Sequence, residues 1–171
     1  MTTSTRSASL ALGTIRLVSR DVETVERIIP APPEAIFELI SDANRHRDID
    51  GSGSVRSAIS GPQRLVLGSR FGMSMRIGVP YAMVSTVIEY RENQLLAWQT
   101  HGPTPLGKLV AGRIWRYELE PVDGGTRVRE SWDITRESPL TKPFVRSGAR
   151  EARKNMAKTL ERIEELVSSE A

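Results

Sequence analysis

Hydrophobic residues recur along this chain with two different periods, and each change of period marks a predicted element. Residues 22–29, VETVERII, are rich in β-branched residues and stop at a proline, which predicts a first strand. The spacing then becomes helical over residues 32–42, PPEAIFELISD. The polar stretch 43–50, ANRHRDID, adds a second, shorter helical turn. Two short helices are therefore expected after the first strand.

Alternating apolar and polar residues after residue 53 predict six further strands. The third predicted strand has the clearest alternation, with Phe71, Met73 and Met75 on one side and small or polar residues on the other. A loop or hairpin is expected at 61–68. The stretches assigned to strands are 54–60, 70–79, 81–90, 94–101, 112–122 and 126–134.

The residues after Arg136 return to a helical period. Apolar residues recur there every three or four positions from Val145 to Val167, which predicts one long amphipathic helix. A proline at 143 suits a first helical turn, so the continuous helix is expected to begin near Lys142. Gly148 would permit a bend or a close approach to the sheet.

This order of elements predicts an α+β fold: a curved, mostly antiparallel sheet of about seven strands around one long C-terminal helix. One helix is too narrow to cover such a sheet completely, so a cavity is expected between them. The domain is predicted to span residues 21–171. Residues 1–20 are rich in hydroxyl groups and lack acids, and we interpret them as a loosely ordered N-terminal extension.

Composition narrows the chemistry. The chain has no cysteine and only two histidines, His46 and His101, so neither a structural metal nor a cofactor is predicted. A net charge of +3 argues against general nucleic-acid binding. No apolar run approaches the roughly 20 residues of a membrane span. We expect a cytoplasmic monomer or homodimer.

The last predicted hairpin carries charges and aromatic residues on the same face. With its turn at Asp123 and Gly124, the numbers of opposed residues sum to about 247. Opposed side chains lie about 5 Å apart at Cβ, so Tyr117 would reach Glu130 and Arg113 would reach toward the same layer. The alternative is that both charges are solvated at strand ends or on the outer face. The predicted pairs are Arg113–Ile134, Trp115–Trp132, Tyr117–Glu130 and Leu119–Val128.

Three stretches make the chain resemble a known family: VERIIPAPPEAIFELISDANRHRDIDG at 25–51, WRYELEPVDGGTRVRESWDI at 115–134, and the terminal helix to about Val167. They are similar to the START-like helix-grip superfamily (SRPBCC), and within it to polyketide cyclase/dehydrase-type proteins. The resemblance extends over about residues 22–168. It implies a deep pocket between sheet and helix for an apolar or amphipathic small molecule. It carries no catalytic motif onto this chain, because fold does not fix chemistry in this superfamily.

We therefore predict a binding site for a hydrophobic or aromatic, lipid-like or polyketide-like small molecule, in a carrier or sensor. The main alternative is a cyclase or dehydratase in which Glu130 is the base, Tyr117 donates a proton and Arg113 steadies an enolate oxygen. The predicted ligand contacts are Phe71, Met73, Met75, Trp115, Tyr117, Glu130, Trp132, Phe144, Ala152 and Met156.

Weaker signals leave other interpretations open. Basic residues on the last helix, including Arg150, Arg153 and Lys154, would suit a protein- or membrane-surface module, although such a face is usually just solvated. His46 is predicted to be solvated, with a gate near a pocket mouth as the alternative. GSGS at 51–54 lacks the lysine of a phosphate loop, and a flexible turn is expected.

Overall fold

The computed structural model describes residues 19–102 and 111–169. Seven strands form one antiparallel sheet in the order β1-β7-β6-β5-β4-β3-β2. The strands are β1 (Val22–Ile29), β2 (Val55–Ser60), β3 (Arg70–Ile77), β4 (Val79–Arg91), β5 (Leu95–His101), β6 (Ala111–Val122) and β7 (Gly125–Asp133). The helices are α1 (Pro33–Ser41), α2 (His46–Ile49), α3 (Lys142–Arg146) and α4 (Ala149–Ser169), with a 3₁₀ turn at Ala43–Arg45.

The predicted fold class is confirmed: two short helices follow β1, and a long helix packs across an antiparallel sheet. One detail of the prediction was wrong. The last helix does not run on from Lys142, because the chain turns at Ser147 and Gly148 and separates α3 from α4. Ser147 N–H donates to the Phe144 and Pro143 carbonyls, 3.2 and 3.3 Å away, and this tight turn ends α3. The predicted extension at residues 1–20 falls almost entirely outside the described residues.

The register predicted for the last hairpin is confirmed where both strands continue. Trp115 pairs with Trp132, Tyr117 with Glu130, and Leu119 with Val128. The fourth predicted pair is absent from the ladder because β7 ends at Asp133, one residue before Ile134. Arg113 is paired on its other side with Thr100 of β5.

The two halves of α4 meet the sheet differently. Large side chains of the C-terminal half, Leu160, Ile163 and Val167, are buried in the main hydrophobic core with α1. The N-terminal half lines the cavity with the smaller Ala152 and Asn155, beside one large buried side chain, Met156. Small side chains cannot fill the space above a curved sheet, so the core is dense at one end of α4 and hollow at the other.

The loop after α2 is fastened directly to α4. A Cβ on Gly51 would lie 2.1 Å from the Asn155 carbonyl oxygen, so only glycine permits this approach. The Gly51 N–H donates to Thr159 Oγ1 at 3.0 Å, and the Arg162 guanidinium donates to the Asp50 carbonyl. These contacts fix one wall of the hollow region.

Candidate ligand-binding cavity

A cavity of about 730 Å³ lies between the sheet and α4. Its wall is formed by residues of β2 to β7, by α2 and the loop after it, and by α3 with the first half of α4. Arg113 and all ten residues predicted as ligand contacts are on this wall. The structure thus brings them together around one space. Their role in binding stays a prediction.

The three tryptophans of the chain form a row across the sheet. Trp98 on β5 is paired with Trp115 on β6, and Trp115 is paired with Trp132 on β7. All three line the cavity. Because neighbouring strands lie about 4.8 Å apart, the row gives one wall a continuous aromatic surface. Such a surface suits flat or extended apolar molecules.

Tyr117 and Glu130 form a buried polar pair beside this row. The Tyr117 hydroxyl donates to Glu130 Oε1 at 2.8 Å. Glu130 Oε2 is also buried, and it has no hydrogen-bond partner among the described residues. Burial raises the pKa of Glu130 to about 8, which leaves the carboxyl mostly protonated at neutral pH. The pKa of Tyr117 is raised well above its ordinary value by burial and by the neighbouring Glu130.

Arg113 was expected to reach this pair, but its hydrogen bond goes elsewhere. Its Nε donates instead to Glu137 Oε1 at 2.9 Å, and the Glu137 side chain is completely buried. The prediction that Arg113 serves the Tyr117 and Glu130 layer overlooked this partner. Glu137 follows the last strand and gives no signal in strand periodicity, so it was missed. This ion pair neutralises Arg113, which is the one arginine among the described residues that line the cavity.

The prediction that His46 is solvated was wrong. His46 is buried, and its Nε2 donates to the Ile40 carbonyl at 2.9 Å. Its ring stacks on Trp98 with centroids 5.0 Å apart and meets the edge of Phe71. Burial lowers the pKa of His46, so the ring is held neutral. The polar neighbours in the sequence hid this packing, because only the folded sheet supplies Trp98.

Trp98 was the main wall residue that the sequence interpretation missed. It stacks on Tyr117 at 5.6 Å and contacts Phe71 edge-on at 5.9 Å, so it links Tyr117 to the rings of Phe71 and His46. The alternation of Leu96, Trp98 and Thr100 was a usable signal. The register between β5 and β6 could not be predicted in the same way, because residues 102–110 separate the two strands in the sequence.

Asp50 is a second missed wall residue. Its carboxylate accepts from the Ser52 and Val55 N–H groups at 3.0 and 2.8 Å and so orders the GSGS turn. Its charge also contributes to the raised pKa of both Glu130 and Tyr117. The turn leads into β2, as predicted, and it makes one side of the cavity acidic.

The mouth of the cavity is bordered by exposed apolar side chains. Phe144 on α3 is 83% exposed and Ile77 at the end of β3 is 70% exposed, and both line the opening. Val79 and Leu140, close to them in sequence, are also exposed. Phe144 is therefore a residue of the rim and not of the interior.

Two further findings concern the described residues, 19–102 and 111–169. Within these ranges, no helix combines the length and apolarity needed to cross a bilayer. The same ranges hold no cluster of three or more His, Asp or Glu side chains placed to bind a metal ion.

Comparison with known proteins identifies the family of this chain. The chain belongs to the polyketide cyclase / dehydrase and lipid transport family, whose sequence profile matches residues 22–168. This confirms the resemblance seen in the sequence, over the same stretch of chain. The family fits ligand binding in general and leaves the kind of ligand open.

Sequence relatives and solved structures agree with this assignment. Uncharacterized protein Rv0088 of Mycobacterium tuberculosis is 40% identical over 118 residues, 68% of this chain and 46% of that protein. The chain thus spans about half the length of the curated relatives that it matches. Protein Ms6760 from Mycobacterium smegmatis has a TM-score of 0.67 at 15% identity, covering 89% of this chain and 94% of that one. Protein NE0264 from Nitrosomonas europaea has a TM-score of 0.65 at 15% identity, covering 89% and 97%. Such low identities show the fold alone.

Proposed function

We propose that this protein binds a hydrophobic or aromatic small molecule in the cavity, as a carrier or sensor. The observation that supports this most is the open volume of about 730 Å³ behind a row of three tryptophans. Ligand sites commonly have volumes of about 300–1,000 Å³, with mostly apolar walls and few polar groups. The Tyr117–Glu130 pair supplies such polar groups here.

Apolar burial would provide most of the affinity. Each Å² of apolar ligand surface removed from water contributes roughly 25 cal/mol, before the cost of immobilising the ligand. Met73, Met75 and Met156 would adapt the wall to ligands of different outline, because methionine side chains are flexible and polarizable. A carrier or sensor needs both apolar contact with the ligand and a wall that accepts ligands of different shape.

A direct test uses N-phenyl-1-naphthylamine, a neutral apolar fluorophore, together with a matched pair of variants. Ala152→Phe would fill the cavity from α4, whereas Ala157→Phe adds the same group on the exposed side of the same helix. We expect saturable binding by the wild type, at least tenfold weaker binding by Ala152→Phe, and unchanged binding by Ala157→Phe. Equal affinities in the three proteins, or no saturable binding by the wild type, would refute binding in this cavity.

Native mass spectrometry of the gently purified protein would complement this titration. A small molecule that co-purifies with the wild type and with Ala157→Phe, but not with Ala152→Phe, would identify the ligand. Its recovery in unchanged form would favour a carrier over an enzyme.

The Tyr117–Glu130 pair supports a second candidate, a cyclase or dehydratase. Glu130 is buried against a phenol, and its raised pKa makes it an acid at neutral pH and a base only above about pH 8. Arg113, engaged by Glu137, would have to leave that ion pair to steady an enolate. A Glu130→Gln variant that binds a ligand but no longer converts it would support the enzyme. Equal conversion by both proteins would refute this role.

A surface-interaction module remains a third and weaker proposal. Arg150 is exposed and has no ion pair with a described residue, whereas Arg153 pairs with Glu23 at 3.2 Å. Lys154 approaches Glu151 at 4.0 Å. Salt-sensitive binding that disappears when Arg150, Arg153 and Lys154 are neutralised would support it. The cytoplasmic location and the monomeric or homodimeric state also stay predictions.

A further inference from the structure

We infer that the cavity selects neutral ligands bearing an acceptor oxygen, such as a ketone, ester or amide carbonyl, and that Glu130 determines this selectivity. The inference rests on the proposed function, since it concerns the same cavity. It goes further by stating which polar end of an apolar ligand the site accepts and which it rejects.

The first observation is the unequal use of the two carboxyl oxygens of Glu130. Oε1 accepts the Tyr117 hydroxyl at 2.8 Å, while Oε2 is buried without a partner among the described residues. Buried polar side-chain atoms in proteins almost always have a hydrogen-bond partner. Glu130 is a residue of the cavity wall, so we take a ligand atom as the missing partner.

The second observation is the charge of the wall. Its described carboxyl groups are Glu130, Asp50 on the loop after α2, and Glu151 on α4. Its one arginine is neutralised by Glu137, and His46 on α2 is held neutral beside Trp98. A ligand carboxylate near Glu130 would lose its hydration and find no unpaired cation on the described wall. Anionic ligands are therefore disfavoured.

The third step decides between a neutral acceptor and a cation. A protonated Glu130 that accepts Tyr117 at Oε1 carries its own proton on Oε2, and that proton can be donated to a ligand oxygen. The raised pKa of Glu130 agrees with this state. An ammonium group would instead require ionised Glu130 and the burial of two charges, which costs desolvation of both. A carbonyl ligand requires neither an ionised Glu130 nor the burial of two charges.

The test uses three probes with one aromatic body: 2-acetylnaphthalene, 2-naphthoate and 2-(aminomethyl)naphthalene. Isothermal titration calorimetry at pH 7 is expected to show the ketone binding at least tenfold more tightly than the carboxylate and the amine. Equal affinities would overturn the selectivity while leaving the apolar site intact. Tightest binding of the amine or of the carboxylate would overturn it as well. No saturable binding of any of the three, or of N-phenyl-1-naphthylamine, would refute the proposed function itself.

Two variants assign the effect to Glu130. Glu130→Gln keeps a donor of similar shape, so ketone affinity should stay within about threefold. Glu130→Leu removes the donor, so ketone affinity should fall at least tenfold while N-phenyl-1-naphthylamine binding is retained, which also shows that the variant is folded. An unchanged ketone preference in Glu130→Leu would refute the role of this residue.

The pH dependence adds an independent readout. Ketone affinity of the wild type should fall as the pH rises through about 8, because Glu130 then loses its proton. Of the groups near it, Tyr117 stays protonated there because its own pKa is raised further, and Asp50 acts through its charge, which helps to raise the pKa of Glu130. Glu130→Gln should show no such fall. A fall of equal size in this variant would refute the assignment.

Discussion

The interior and the mouth of the cavity are made from different kinds of contact. The interior aromatic cluster, defined by His46, Phe71, Trp98 and Tyr117, is buried and packed ring against ring. At the mouth, Phe144 and Ile77 are mostly exposed and belong to neither hydrophobic core cluster. Similar apolar side chains therefore contribute to stability in one region and only border an opening in the other.

The difference originates in α4 and in what faces it. Its C-terminal half fills the main core with large side chains, whereas its N-terminal half lines the cavity and packs Met156 against Trp132. Near this space the sheet buries polar atoms that a packed core would exclude, most clearly Glu130. An open cavity with a polar group inside it costs stability, so function is the natural reason for keeping both.

The largest contrast is expected between Trp98→Ala and Phe144→Ala. Trp98 contacts three other rings, so its truncation should lower the free energy of unfolding by about 3 kcal/mol or more. Phe144→Ala should change it by less than about 0.5 kcal/mol, because this side chain is already in solvent. Urea denaturation of both variants measures the difference. Equal losses of unfolding free energy in the two variants would show that Phe144 is buried in solution.

An effect of comparable size is expected from Glu130→Gln at alkaline pH. The pKa of Glu130 is about 8 in the folded protein against an ordinary 4.5, so the folded state holds the proton more tightly. The free energy of unfolding should therefore fall as the pH rises from about 4.5 to about 8, by up to about 1.4 kcal/mol for each pH unit. Glu130→Gln should lack this fall and be the more stable protein at pH 9. Parallel pH profiles would mean that Glu130 is ionised in the folded state.

A smaller effect, of opposite sign, is expected from His46. Its pKa is lowered by burial, so stability present above the ordinary value of 6.5 is lost as the pH falls below it. His46→Phe would keep the stacking on Trp98 but leave the Ile40 carbonyl without its donor, at a cost of about 1 kcal/mol at pH 7.5. The difference in stability between the two proteins should shrink on acidification to pH 5. A constant difference would place His46 in solvent.

The smallest effect is expected at the rim. Phe144→Ser and Leu140→Ser, singly or together, should leave the thermal midpoint within about 2 °C, because neither side chain is buried. Phe144→Ser should alter the rates at which N-phenyl-1-naphthylamine enters and leaves the cavity, since Phe144 lines the opening. Stopped-flow fluorescence measures these rates. Leu140→Ser is the matched control, and equal rates in the two variants would show that Phe144 is not on the ligand path.

Local rules predicted the last hairpin well. The turn at Asp123 and Gly124 and the alternation on both strands were enough to pair Tyr117 with Glu130, and the structure has the same pairing. The predicted order of elements also holds, because periods of 2 and 3.6 can be read directly from the sequence. A tight turn is what made the register predictable.

Contacts between distant segments were missed. Arg113 lies on β6 and Glu137 lies beyond the end of β7, so the alternation along the two strands does not relate them. His46 has only polar close neighbours, yet Phe71 and Trp98 from two strands bury it. The break between α3 and α4 depends on the hydrogen bonds that the Ser147 N–H donates. Gly148 permits this turn but does not by itself require it.

The sequence by itself determined the kind of fold, the strand pairing of the last hairpin and the residues that share one face, because those properties depend on near neighbours and on local periodicity. The tertiary structure decided the depth of the cavity, the protonation of Glu130 and the partner of Arg113. These properties depend on which groups from distant segments exclude water from one another, and burial of that kind exists only after the sheet has curved around α4.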